Sequence, residues 1–535
     1  MAKRHSGSAW RAWLITGIMV AVLAVMWFSE DIFTPKNTVS SQTEQTSAAS
    51  SVSSSKTDAS ASQTTAASES ASALLKETVL REPLVSLKGN GKDTVTVLVY
   101  MNGSDLETED GEATDDLKEM VASGVGGNVR VLVETLGTKK WKSTFGISSK
   151  TAQRYELTGN GLTLKVDKLG SLNVGDSAPL TDFIQWGAEN YPADRYMLIF
   201  WDHGAGPVYG FGYDDRTGSE DTLTAYEMRK ALTDAGVTFD VIGMDCCIMS
   251  SLELCCALYD FCDYMILSED FESGYGWYYT DWLKTLTANP SVDTETLGKE
   301  IVDTTVSANQ RHRQDSILAV IDEKYMKALY TAWVNFAYAN EDTLIGTNYS
   351  RQKSRKPGGR VSPILTENGY FQTIGADRAS GTSELESYFV TDIMSVAQNV
   401  SGEEAEALTS VLSHAVCYMN AYGDSANLTG LSVTLPYGDS SYYKELKEVF
   451  TACGFDEEYI SWLEKFVTSG GSASYYNYDS WDTQWSSGGW DDYEDTGDSW
   501  WDYLFGYDDY YYEDNYWEDD YGYGGGGGWG WSHGW

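Results

Sequence analysis

The chain has 535 residues, 37 Lys+Arg against 79 Asp+Glu, and a formal net charge of −42. That balance excludes nucleic acid as a main partner, because phosphate binding needs a basic face, and it argues against lying flat on an anionic membrane. The 42% hydrophobic content supports a sizeable core, so the chain is not disordered throughout.

At the N-terminus Lys3, Arg4 and Arg11 precede an uncharged run, Leu14–Phe28. The run is short against the roughly 17–25 residues of a bilayer crossing. It is long enough for a secretory signal, but Met26-Trp27-Phe28-Ser29 lacks the small-residue pattern of a cleavage site. The expectation is an uncleaved signal anchor over 14–28. The basic segment 1–13 then stays in the cytoplasm and the rest is exported to a bacterial cell surface. The alternative is a cleaved signal and a secreted protein. Residues 29–92, rich in Ser, Thr, Ala and Gln, read as a linker that cannot bury enough surface to offset its ordering entropy.

The folded part is expected over 93–470. Apolar runs at Thr94–Met101, Val129–Thr135, Tyr196–Trp201, Phe239–Asp245 and Asp263–Glu269 predict buried strands, and Arg154–Leu157 and Leu162–Leu169 predict strands with a polar face. Ser316–Asp322 and Leu431–Pro436 predict two more. Helical patterns lie between them, among others at Asp115–Ser123, Thr294–Asn309 and Glu403–Tyr422. Apolar runs alternating with helices predict an α/β fold with a mostly parallel sheet covered on both faces. Residues 471–535 hold 15 Asp/Glu, 9 Trp and 12 Tyr, with no Lys or Arg and no helical or strand period. They read as a low-complexity tail. The functional alternative is an aromatic segment for adhesion or carbohydrate stacking.

In such a sheet the active site lies beyond the carboxyl ends of the strands. Asp202-His203-Gly204 follows one apolar run, and Asp245-Cys246-Cys247 ends another. A His and a Cys at two strand ends are a candidate base and nucleophile, since the thiolate attacks well near neutral pH. Gly204 lets the backbone approach a substrate closely. The other histidines carry less. His5 precedes the apolar run, His533 is in the tail, His312 sits in the charged run Arg311–Arg313, and His414 lies in a helical pattern and reads as packing. Seven cysteines, five of them between Cys246 and Cys262, do not have the spacing of a disulfide framework. The pairs 246/247 and 255/256 also lack the C-x-x-C spacing of tetrahedral zinc, so no metal site is assigned. Cys255, Cys256 and Cys262 read as buried structural thiols. On its own Asp245 reads equally as a strand-end carboxylate favoured by the N-terminus of the next helix.

The run Asp202-His203-Gly204, with Asp245-Cys246-Cys247-Ile248-Met249, resembles the clostripain family of cysteine peptidases, whose usual pattern is a His-Gly pair and then Asp-Ala-Cys-Leu-Met. Tyr100–Glu107, Ser268–Trp277 and Gly430–Pro436 support the resemblance, which covers about 93 to 467. It implies the caspase-like α/β/α sandwich shared with gingipains and legumains. It implies Cys247 as nucleophile, His203 as base, the Gly204 and Cys247 N–H groups as oxyanion hole, and Asp245 at the base of the specificity pocket. A carboxylate there favours Arg, then Lys, before the scissile bond. Cys246 departs from the family's Ala. The chemistry requires no cofactor. Calcium is implied for some members, but no D-x-[DN]-x-[DN]-G loop is present and no calcium site is placed.

The expected partners are protein or peptide substrates and, through the anchor, the cytoplasmic membrane. Loop 204–221 is expected to be exposed, and its only basic residue, Arg216, is the expected self-cleavage site. Two other readings stay open: a surface adhesion protein with a degenerate peptidase domain and an aromatic binding tail, and a transpeptidase that resolves the thioacyl intermediate with an amine.

Overall fold

Val95–Asn102 (β1) is buried along its whole length because its side chains serve two layers. Val95, Val97, Val99 and Met101 enter one apolar cluster, and Leu98 and Tyr100 enter another on the opposite face. Alternation of side chains across the pleat produces this split. Each fully buried aliphatic side chain contributes about 1.5–3 kcal/mol. The computed structural model describes residues 80–217, 221–345, 365–366, 369–370, 390–398, 400–435 and 440–469. The anchor 14–28, the linker before residue 80 and the tail 471–535 lie outside the described residues. Among the described residues no helix is long and apolar enough to cross a membrane.

The other strands of the sheet are Val129–Leu136 (β2), Gln153–Thr158 (β3), Gly161–Val166 (β4), Arg195–Trp201 (β5), Phe239–Asp245 (β6), Cys262–Leu267 (β7), Ser316–Asp322 (β8) and Val416–Tyr422 (β9). Their order is β9-β8-β7-β6-β5-β1-β2-β3-β4. The five from β7 to β2 are parallel. The outer pairs on both sides are antiparallel. One face carries Glu112–Ala122 (α1), Tyr279–Ala288 (α5) and Thr294–Arg311 (α6), through Leu117, Trp282 and Ile301. The other carries Ser177–Asn190 (α2), Ala225–Ala235 (α3), Leu252–Leu258 (α4), Met326–Ala339 (α7) and Glu403–Ala415 (α8), through Phe183, Met228, Leu254, Trp333 and Leu408. Ser440–Cys453 (α9) and Glu457–Ser469 (α10) add Leu446 and Leu463 to that layer. The result is the expected α/β/α sandwich. Strand order reverses around β1, which lies between β2 and β5, so a crevice opens beyond the carboxyl ends of β1 and β5.

Several expectations need correction. The predicted helix 403–422 stops at Ala415, and Val416–Tyr422 instead pairs antiparallel with β8 as the edge strand. Non-local pairing overrides local pattern there. Leu431–Pro436 contributes no strand to the main sheet; Ser432–Thr434 pairs with Val390–Asp392 in a separate two-stranded sheet. Residues 80–92, read as linker, are docked. Arg81 Nη2 donates to the Cys262 carbonyl at 2.6 Å, and the Leu84 and Val85 N–H groups donate to the Asp263 carboxylate at 2.8 and 2.9 Å. His414 is exposed rather than packed in the core. Cys256 is half-buried, whereas Cys255 and Cys262 are buried as expected. All seven cysteines are free, and among the described residues no group of three or more His, Cys, Asp and Glu could hold a metal ion.

Candidate active site

Three neighbouring strands of the parallel core, β1, β5 and β6, deliver the candidate residues to one edge. The chain leaving β1 carries Asn102, Ser104 and Asp105, then a single π-helical turn, Leu106–Asp110, such as often marks functional sites. The chain leaving β5 carries Asp202 and His203. The chain leaving β6 carries Asp245, Cys246 and Cys247.

His203 is nearly buried, and its Nε2 lies 2.9 Å from Asp105 Oδ1. Burial would raise the Asp105 carboxyl, but the hydrogen bond and charge of His203, with bonds from Tyr213 and Ser104, outweigh it and hold the group well below the usual carboxylate range. Tyr213 stacks against the His203 ring, with centroids 5.9 Å apart. Asp202, the carboxylate before the histidine, is buried and faces away from this role. It accepts from the Asn102 amide, from Ser104 Oγ at 2.5 Å and from the Tyr213 N–H at 3.3 Å. Burial pushes its carboxyl up to about 7, against the opposing pull of His203 and Ser104. Asp202 therefore ties the ends of β1 and β5 together, and Asp105 is the histidine's partner. The sequence places Asp105 inside a supporting motif but gives it no role. The signal was a short polar run directly beyond a buried strand.

Cys247 and Cys246 occupy different environments. Cys246 is 3% exposed and packs in the apolar core, where burial pushes its thiol well up. Cys247 is half-buried, and its Sγ accepts from the Glu272 N–H at 3.2 Å. Ile248, immediately after it, has φ +56°, a left-handed conformation that a β-branched residue rarely adopts. Such strain is concentrated at active sites, where the surroundings over-determine it. Here the Ile248 N–H donates to the Asp270 carbonyl at 3.0 Å, the Ser250 N–H donates to the Ser268 carbonyl at 2.8 Å, and Ser251 caps α4. Gly204 packs so closely on this turn that a Cβ would overlap the Cys247 carbonyl oxygen. Only glycine lets the His203 and Cys247 segments approach this far.

Asp245 is buried below the turn. Its carboxylate accepts from the Trp277 N–H at 3.0 Å and from the Tyr279 hydroxyl at 2.7 Å. Gly276, at φ +49°, brings the loop against it; a Cβ there would stand 2.8 Å from Asp245 Oδ1. Burial, partly offset by Tyr279, raises the Asp245 carboxyl to about 6. The helix-cap alternative for Asp245 finds no such bond, because its acceptor oxygens are turned to residues 277 and 279. Glu112, Asp116 and Glu119 of α1 and Glu272 of the loop surround it with further carboxyls, each raised by burial and by its neighbours.

Arg216 is not the exposed loop residue expected. The loop is buried for most of its course through Asp215. The guanidinium grips Asp214, at 2.7 Å from Oδ2, and donates to the Leu172 carbonyl at 3.2 Å, leaving its side chain 12% exposed. Residues 218–220 lie outside the described residues.

The profile of the clostripain family of C11 peptidases matches residues 99–492. No curated protein matches the sequence. Among solved structures, the chain is similar to a secreted C11 cysteine protease from Bacteroides thetaiotaomicron in complex with an irreversible peptide inhibitor, at 17% identity and a TM-score of 0.49, covering 68% of this chain and 99% of that one. It is also similar to an inactive zymogen C11 protease from Parabacteroides distasonis, at 18% identity and a TM-score of 0.48, covering 70% of this chain and 97% of that one. The family profile begins within β1, runs through His203 and Cys247, and ends beyond α10, so it spans every element that builds this site. The chain belongs to the clostripain family of cysteine peptidases.

Proposed function

We propose that the protein is an exported cysteine endopeptidase that cleaves after Arg or Lys. The observation that carries this reading is the convergence, at one sheet edge, of a half-buried Cys247, a His203 held by a carboxylate, and a buried Asp245 ringed by further acids. Cys247 Sγ attacks the scissile carbonyl carbon and its proton passes to His203. The tetrahedral oxyanion is held by the Gly204 and Cys247 N–H groups. The amine leaves with the proton from His203, giving a thioacyl enzyme. Water, deprotonated by His203, then attacks the thioester, releases the acid and restores the thiol. An Arg or Lys side chain bound toward Asp245 would compensate its buried charge. The degenerate-domain alternative draws no support from this geometry.

Asp105 acts in this account as a positioning residue. A neutral His203 that donates Nε2–H to Asp105 keeps Nδ1 as the basic nitrogen. Asp105→Asn is expected to lower kcat about 10–100-fold, with KM little changed, because the tautomer and orientation are lost rather than the substrate pocket. The acid limb of the pH profile should shift with it. A variant with an unchanged kcat and pH profile would remove Asp105 from the machinery.

We further propose that the domain is tethered outside the cytoplasmic membrane by residues 14–28, and that slow self-cleavage follows Arg216. The grip of Asp214 on Arg216 requires that pair to open before the bond can enter an active site, which favours cutting between molecules. Sequencing the N-termini of the purified active protein checks both. The expected termini are the intact N-terminus and, in the processed fraction, Thr217. A sole terminus near Ser29–Thr34 would refute the anchor, and a fully active chain with no Thr217 terminus would refute processing.

A further inference from the structure

Glu272 touches both halves of the site. Its backbone N–H donates to Cys247 Sγ at 3.2 Å, and the thiol lies 3.8 Å from its carbonyl oxygen. Its two carboxylate oxygens are shut off from solvent. They face Asp245 and Trp277. Trp277 is fully buried, and its side chain is turned to the Glu272 carboxylate. The floor of the pocket thus holds two carboxyls side by side, with the Trp277 side chain against them.

The surroundings supply little positive charge. From α1, Glu112, Asp116 and Glu119 add carboxyls that burial and one another hold toward the protonated form, and Asp116 accepts from the Trp201 indole at 2.6 Å. From β6 comes Asp245, and from α5 the Tyr279 hydroxyl. Arg311 of α6 acts on Glu119 and lies over the Tyr278 ring. Two ionised carboxylates cannot share a dry space without a cation, so in the free enzyme the pair retains a proton. Burial and Asp245 raise the Glu272 carboxyl well above its usual range, while Asp245 itself stands at about 6.

We propose that Glu272 is the second carboxylate of the S1 subsite, and that the Asp245–Glu272 pair binds a cationic side chain in exchange for a proton. The exchange balances: one carboxyl loses its proton to solvent, and the guanidinium or ammonium takes its place as the compensating charge. Because the same residue's backbone contacts Cys247 Sγ, filling the subsite also bears on the nucleophile. The inference rests on Asp245 lining the subsite.

The test is calorimetric binding of benzamidine to the Cys247→Ala protein in two buffers of different ionisation enthalpy, at about pH 6, the value of the Asp245 carboxyl. The Cys247→Ala protein releases about one proton per benzamidine, and binding weakens about tenfold per pH unit on further acidification. Adding Glu272→Gln should weaken binding at least about tenfold and cut the proton release by half or more, whereas Glu272→Asp should restore the release. Equal affinity and equal proton release in Glu272→Gln would overturn the inference. If Asp245→Asn also leaves benzamidine affinity unchanged, the reading of Asp245 fails with it. If Asp245→Asn loses binding and Glu272→Gln does not, only the role of Glu272 fails.

Discussion

Cys247→Ala is expected to reduce hydrolysis of an Arg-terminated fluorogenic peptide by at least about 10⁴-fold, since it removes the proposed nucleophile. Cys246→Ala is expected to stay within a few fold of the parent rate. The two thiols are adjacent in sequence, but Cys246 lies in the core with its thiol pushed up by burial, whereas Cys247 is half-buried with Sγ against Glu272. Cys246→Ala should show itself as a lowered Tm instead, because it leaves a small void in a packed core. Rates and thermal unfolding of both variants check this. A dead Cys246→Ala with a stable fold would mean that the register of the nucleophile is wrong by one residue.

Asp245→Asn is expected to lower kcat/KM for Arg and Lys substrates by about 10²–10³-fold, the cost of losing a buried charge partner of about 3–4 kcal/mol. Cleavage after apolar residues should change little, so the preference itself collapses. The amide keeps one oxygen to accept from Trp277 N–H, which should preserve the loop. The comparison of kcat/KM across Arg-, Lys- and Leu-terminated peptides decides it. An undiminished Arg preference in the variant would place the specificity pocket elsewhere.

How much of this was legible in the sequence depended on whether the signal was local. Phe239–Asp245 and Ser316–Asp322 appear as strands with the bounds their apolar runs suggest, because a strand buried on both faces needs an unbroken run. Val416–Tyr422 did not, since its half-buried residues carry no such run and only pairing with β8 makes it a strand. The segment 80–92 has the composition of a linker, yet Asp263 and the Cys262 carbonyl hold it to the domain. At the site, His203, Gly204, Asp245 and Cys247 stood out because each follows or ends an apolar run. Asp105 and Glu272 did not, because their importance lies in contacts across about a hundred residues to His203 and about 25 residues to Cys247. Arg216 shows the reverse error. A Gly- and Asp-rich stretch read as exposed is packed, and its one basic side chain is tied to Asp214.

Cys247 is proposed as the nucleophile of a pocket selective for basic residues. Labelling the soluble domain with an irreversible, thiol-reactive peptidyl inhibitor ending in Arg, followed by intact mass and peptide mapping, tests it most directly. A single adduct on Cys247 is expected, blocked by benzamidine and absent with an Asp-terminated inhibitor. An adduct on Cys246, or equal labelling by the Arg and Asp inhibitors, would contradict it.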